Sequence, residues 1–201
     1  MNRWANTARI SNRSIPMALY FSPKLMQYQP RLHDLHRWAT IGLLRELEDF
    51  VDGYISAHIQ IFRSETRPQI PIQVSWSYAG DANPDLRQAC LRRDFQILRG
   101  GLPVVYGAIS SSQEHVDVRD AAAQTSRVGM AATNCQKSYL LIITKEHEKL
   151  RATFHRMWNG EAPRPLTGLG AGEMELHWDP DHEDANREFY LFLHHCLTTT
   201  Q

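Results

Sequence analysis

The sequence predicts an α+β domain in which helices pack on the faces of a mixed β-sheet, and three observations carry that expectation. Apolar residues recur at helical spacing from Arg31 to Phe62, alternating or wholly apolar runs of strand length recur between residues 70 and 158, and further helical stretches interleave with those runs. At 201 residues, with 42% apolar and 22% charged residues, the chain has the size and composition of one folded domain with a real core. The expected organisation is a flexible basic arm over residues 1–29 and a single globular α/β domain over 30–201.

The arm carries Arg3, Arg9, Arg13 and Lys24 and no acid, a composition shared with mitochondrial presequences. Pro16, Pro23 and Pro30 interrupt any long amphipathic helix there. Beyond Pro30, the residues Leu32, Leu35, Trp38, Ile41, Leu44, Leu47, Val51, Tyr54 or Ile55, His58 and Phe62 define one face of a long N-terminal helix, with a break expected near Gly53. Ile70, Ile72, Val74, Trp76 and Tyr78 alternate with polar residues and predict a strand, placed at a sheet edge by its prolines. A short helix is expected at "PDLRQACLRR", then strands at 95–98 and 104–109 joined by Gly100 and Gly101. The alanine-rich stretch 117–134 reads as a helix, "KSYLLIITKE" and "LRATFHRMW" as a hairpin, "MELHW" as a short strand, and "EDANREFYLFLHHCLTT" as a closing helix.

Charge excludes little. Lys plus Arg and Asp plus Glu are 22 each, so any nucleic-acid site must be a local patch. Cys90, Cys135 and Cys196 are too widely spaced for a zinc knot and odd in number, the usage of free thiols in a reducing compartment. With no apolar run of spanning length, the expected location is intracellular, cytoplasmic or nuclear, away from membranes. Oligomeric state is not legible.

The chemistry-bearing stretch is "RRDFQILRGGLPVVYGAISSSQ", a strand led by Asp94, a glycine turn and a second strand. Metal-dependent phosphodiester cleavage needs oxygen ligands for Mg²⁺, and acids two residues apart on a strand beside another acid can supply them on one face. Asp94 stands where the first acid is wanted, whereas Ala108 and Ser110 occupy the two positions where a Glu and a Lys are wanted. From Asp94 to Trp158 the chain resembles the core of the PD-(D/E)XK nuclease-like superfamily, in particular its divergent fungal members. Those follow a "PDF" strand with a Glu-x-Lys strand, then a helix bearing a glutamine and a hairpin. Here "RDF" carries Asp94, "YGAIS" replaces Glu-x-Lys, and "AAAQ" places Gln124 on the next helix. The resemblance implies a restriction-endonuclease-like core whose catalytic signature has decayed, with Asp94 and Gln124 as remnants.

The expected function is therefore a non-enzymatic binding or interaction module without a cofactor, in which Arg92, Arg93 and Arg99 contact nucleic acid or an acidic protein surface. One alternative is a residual Mg²⁺-dependent nuclease in which Asp94 is joined by a relocated acid: Glu114, Asp117, Glu46 or Glu48. Another is a small-molecule enzyme with a pocket between the N-terminal helix and the sheet, using His58, His155 or Glu46 as acid or base. Arg151 and Arg156, near His155 and Trp158, form a second cationic group. The cluster His177, Asp179, Asp181, His182, Glu183 and Asp184 offers metal-ligand chemistry but reads equally as a turn into an acidic helix N-terminus. "GLGAG" at 168–172 does not open a helix and so lacks the context of a dinucleotide loop. His194 and His195 diverge by about 100° on a helix, which predicts one in the core and one at the surface.

Overall fold

The computed structural model describes residues 22–77, 91–146, 149–166 and 183–199. Its first element, α1 (Pro23–Tyr28), begins inside the stretch expected to be a flexible arm. Ser22 accepts a hydrogen bond from the Leu25 amide at 3.3 Å, Pro23 occupies the first turn, and Leu25 is buried against the helices that follow. Helical structure is therefore present within residues 1–29, from Pro23 onward.

The expected long helix is two helices, α2 (Leu32–Ile41) and α3 (Leu44–Thr66), and the break falls at Gly42 and not at Gly53. At Gly42 a Cβ would lie 2.6 Å from the Trp38 carbonyl oxygen, so the chain needs a glycine to leave α2. Glu46 restarts the helix by accepting the Leu43 amide at 2.9 Å. Gly53 lies inside α3, where a Cβ would come within 3.1 Å of both Leu35 and Gln29. It serves close packing of the α1–α2 segment on α3.

Six strands follow the chain in order across one sheet: β1 (Ile72–Ser77), β2 (Arg92–Arg99), β3 (Leu102–Ser110), β4 (Lys137–Glu146), β5 (Lys149–Trp158) and the two-residue β6 (Arg164–Pro165). Neighbours are antiparallel except β3 and β4, which are parallel and joined by a crossover helix, α4 (His115–Ala132). The last helix is α5 (Glu183–Thr198). β6 was not foreseen, and the expected short helix at 84–93, for its first seven residues, and strand at 174–178 lie outside the described residues.

β3 is buried along eight of its nine residues because both its faces are covered. Val105 and Ile109 point into the large core formed with α3 and α5, whose Phe50, Tyr54, Ile55, Phe189 and Phe192 fill it. Tyr106 and Ala108 point the other way, into a smaller core under α4 with Val118, Ala122 and Met130. The domain is thus α+β, with a mixed six-stranded sheet between α3 and α5 on one face and α4 on the other. No helix among the described residues is long and apolar enough to cross a membrane.

Candidate functional site

Strand register decides which of the expected site residues meet. Asp94 lies between Ser77 on β1 and Ala108 on β3, and Arg92 pairs with Ser110. Residues two apart on a strand share a face, so Arg92 and Asp94 both turn toward α4. Arg92 grips the carboxylate side-on: Nη2 donates to Oδ2 at 3.0 Å, and Nε stands 2.9 Å from Oδ1, close enough for an ion pair though poorly aligned as a hydrogen bond. Burial pushes the Asp94 carboxyl above its usual range, and the Arg92 charge and hydrogen bond pull it back in part.

The space in front of Asp94 is a cavity of about 20 Å³ walled by Ser77, Gln96, Tyr106, Ala122, Thr125 and Ser126. That is room for a single water. A hydrated Mg²⁺ with six oxygen ligands and a bound phosphodiester needs many times that volume. Ala108, opposite the carboxylate, is fully buried and supplies no ligand.

Ser110, at the second departure from the signature, has a structural task. Its Oγ donates to the Leu91 carbonyl at 2.6 Å and accepts from the amides of Ser112 and Gln113 at 3.3 and 3.1 Å. A fully buried hydroxyl thereby ties the end of β3 to the start of β2 and folds the turn into α4.

The remaining expected residues do not converge. Gln124 is exposed on the outer side of α4, and the helix presents Thr125 and Ser126 to the Asp94 cavity. Arg93 faces the opposite side of the sheet and pairs with Glu48 of α3 at 3.3 Å, so neither Arg93 nor Glu48 shares a face with Asp94. Arg99 lies at the far end of β2, roughly 24 Å from Arg92 at the rise of an extended strand. Glu46 caps Leu43, and Glu114 is the N-cap residue of α4 beside a different cavity. His58 is packed inside the α3–α5 core, whereas His155 belongs to the α4 side, so the two histidines of the small-molecule alternative are separated by the sheet. His194 and His195 are both half-buried and take different partners, Phe62 and the Tyr139 hydroxyl. Cys196 is buried and its thiol is pushed up by that burial, while Cys135 is half-buried and donates to the Lys137 carbonyl. Among the described residues no three His, Cys, Asp or Glu side chains are grouped to hold a metal ion. The acidic cluster from His177 to His182 and the 168–172 loop lie outside the described residues.

Two features were not anticipated. The first is a cavity of about 530 Å³ at the carboxyl ends of β3 and β4, lined by Ser111, Ser112, Gln113, Glu114, Lys145 and Arg151. It opens where parallel strands finish and their crossover helix begins, the usual position of a ligand crevice in such sheets. The run of serines directly after a wholly apolar strand is the sequence signal for it. The second is a chain of buried side chains beneath α4: His115 Nδ1 lies 2.6 Å from Thr144 Oγ1, His115 Nε2 lies 2.7 Å from Thr153 Oγ1, and Thr153 Oγ1 lies 3.0 Å from His155 Nε2. These contacts fix the first turn of α4 onto β4 and β5, and with it the wall of the cavity.

No protein-family model, curated protein or solved structure matches this chain.

Proposed function

We propose that this chain is a catalytically degenerate nuclease-fold domain that works as a binding module for a phosphate-bearing or acidic partner. The observation that carries the reading is the state of Asp94: paired with Arg92, facing Ala108, and confined beside a cavity of about 20 Å³. The succession of an Asp-bearing strand, an adjoining strand, a helix with Gln124 and a hairpin agrees with the resemblance, and the missing ligands argue for binding in place of cleavage. The adjacent cavity with Lys145, Arg151, Ser111 and Ser112 supplies cations and hydroxyls suited to phosphate oxygens, with Glu114 tempering their charge.

The test is a pair of titrations. Calorimetry with Mn²⁺ on wild type and Asp94→Ala is expected to give no site dependent on Asp94; tight binding lost in the mutant would favour the residual nuclease instead. Fluorescence anisotropy with a labelled single-stranded oligonucleotide and with a phosphorylated acidic peptide is expected to show binding of at least one probe, weakened at least about tenfold by Lys145→Ala with Arg151→Ala. Failure of both probes to bind would remove the reading.

A further inference from the structure

The α2–α3 junction holds two large apolar side chains in solvent, Ile41 at 67% and Leu43 at 76% exposure, with Trp38 at 42% one turn earlier. This is a braced corner and not a loose loop. Gly42 closes α2 through its amide to the Trp38 carbonyl, Glu46 accepts the Leu43 amide, and Lys145 reaches from β4 to donate to the Gly42 carbonyl at 2.5 Å. A backbone corner already held in place presents its side chains for docking without a further cost of ordering the chain.

Beside the corner lies a hollow of about 600 Å³ whose apolar floor comes from Leu43, Leu44 and Leu91, with Arg45, Glu48, Asp49 and Arg93 around it. Glu48 and Arg93 satisfy each other, which leaves Arg45 and Asp49, both exposed, with no ion pair among the described residues. An apolar centre with a polar rim is the anatomy of a protein interface.

The signs on the rim select the occupant. Arg45 and Asp49 are four residues apart and lie on one face of α3. When two such helices cross antiparallel about a two-fold axis on the outer face, midway between Arg45 and Asp49, each Arg45 meets the other copy's Asp49. A uniformly acidic partner would meet repulsion at Asp49, whereas a second copy of this chain is complementary to both charges at once. We infer that the chain forms an isologous dimer through the α2–α3 corner, with Ile41 and Leu43 of each copy seated in the other's hollow. This surface adjoins the Lys145–Arg151 cavity: both are lined by Ser111 and Ser112, and Lys145, which lines the cavity, also holds the corner through Gly42.

The experiment is sedimentation equilibrium of the full chain at concentrations from about 1 to 100 µM, a range that brackets ordinary self-association. Wild type is expected at twice 23.2 kDa at the upper end. Leu43→Glu, at an exposed position where the fold has nothing to lose, is expected to raise the dimer dissociation constant at least about tenfold with an unchanged circular dichroism spectrum. Arg45→Asp and Asp49→Arg should each weaken self-association, and an equimolar mixture should recover it, because each variant then offers the charge the other needs. A wild type of 23.2 kDa throughout, a dimer indifferent to Leu43→Glu, or variants that fail to recover on mixing would each overturn the inference.

Discussion

His58 makes the stability of this domain depend on pH in a way that one substitution should erase. Its ring is 2% exposed, enclosed by Tyr54 at 4.6 Å, Phe189 at 4.9 Å and Tyr190 at 6.1 Å between centroids, and neither ring nitrogen has a hydrogen-bond partner among the described residues. Burial alone lowers its pKa from 6.5 to about 3. In the unfolded chain the ring takes up a proton below pH 6.5, while in the folded domain it stays neutral until about pH 3. The stability it contributes is therefore fully present above 6.5 and is lost as pH falls toward 3.

The magnitude follows from linkage. At pH 4.5 the unfolded state is favoured by two pH units of protonation, about 3 kcal/mol, and the full interval to pH 3 corresponds to about 5 kcal/mol. That is a large share of the roughly 5–15 kcal/mol that holds an ordinary domain together. His58→Leu removes the titration and the two unsatisfied nitrogens while keeping about the same volume. Urea unfolding of both proteins at pH 7.5, 6.0 and 4.5 is the assay. The leucine variant should be at least as stable at pH 7.5, and its advantage should widen by about 3 kcal/mol at pH 4.5. The other titrating groups are common to both proteins and cancel in the difference. Parallel pH profiles would refute the reasoning, because they would mean that the ring is solvated or paired in the folded state.

Gly107→Ala would place a Cβ 2.1 to 2.5 Å from three ring atoms of Phe95, which is buried and lies directly across the strand pair, so a loss of about 3 kcal/mol or more is expected as a lower melting temperature. Ser110→Ala strands the Leu91 carbonyl and two turn amides and should cost about 2 kcal/mol in denaturant unfolding, whereas Ser110→Thr, which keeps a hydroxyl, should cost less. Asp94 has its carboxyl raised in the folded state, so its contribution is greatest in acid, below the ordinary carboxylate range, and declines as pH rises through the raised value. Asp94→Asn should therefore be no less stable than wild type at pH 7 by thermal melt, with any advantage vanishing in acid.

The helices and strands were legible because burial on one side writes itself into sequence at a period of 3.6 or 2. Spacing alone assigns Leu47, Val51 and Phe62 to a core face, and all are buried, as are both Tyr54 and Ile55; Trp38 and Ile41, assigned to the same face, are exposed because they lie at the end of α2, where the chain turns into α3. Spacing points to Gly53 as the helix break and the structure has it at Gly42, because both glycines interrupt the same pattern and only their surroundings separate them. Gly53 yields to Leu35 packed across it, while Gly42 yields to its own helix's carbonyl. Gln124 lies on the expected helix, but its side of that helix was not legible. Val118, Ala122, Ser126 and Met130, spaced by four, form the inner face of α4, which puts Gln124 on the far side; in a helix this rich in alanine that phase is faint. Arg92, Arg93 and Arg99 looked like one patch because they are close in sequence, but a strand sends Arg92 and Arg93 to opposite faces and carries Arg99 to its other end.

The two positions that depart from the nuclease pattern are built into the fold, which bears on whether the proposed reading of Asp94 holds. Ala108 and Ser110 are both fully buried, on the face covered by α4, with Asp94 beside the first. Ala108→Glu with Ser110→Lys would install the signature residues and insert two charges under a packed helix, where each ion costs several kcal/mol unless it is well paired. The glutamate would also meet the Asp94 carboxylate, and the lysine would displace the hydroxyl that organises the turn into α4. The combined penalty is comparable to the whole stability of a domain. The double variant is therefore expected to be largely unfolded by circular dichroism at 25 °C and to bind Mn²⁺ no better than wild type. A cooperatively folded double variant that binds Mn²⁺ would show that α4 can move aside, and the interpretation of Asp94 as a sealed remnant would fall with that result.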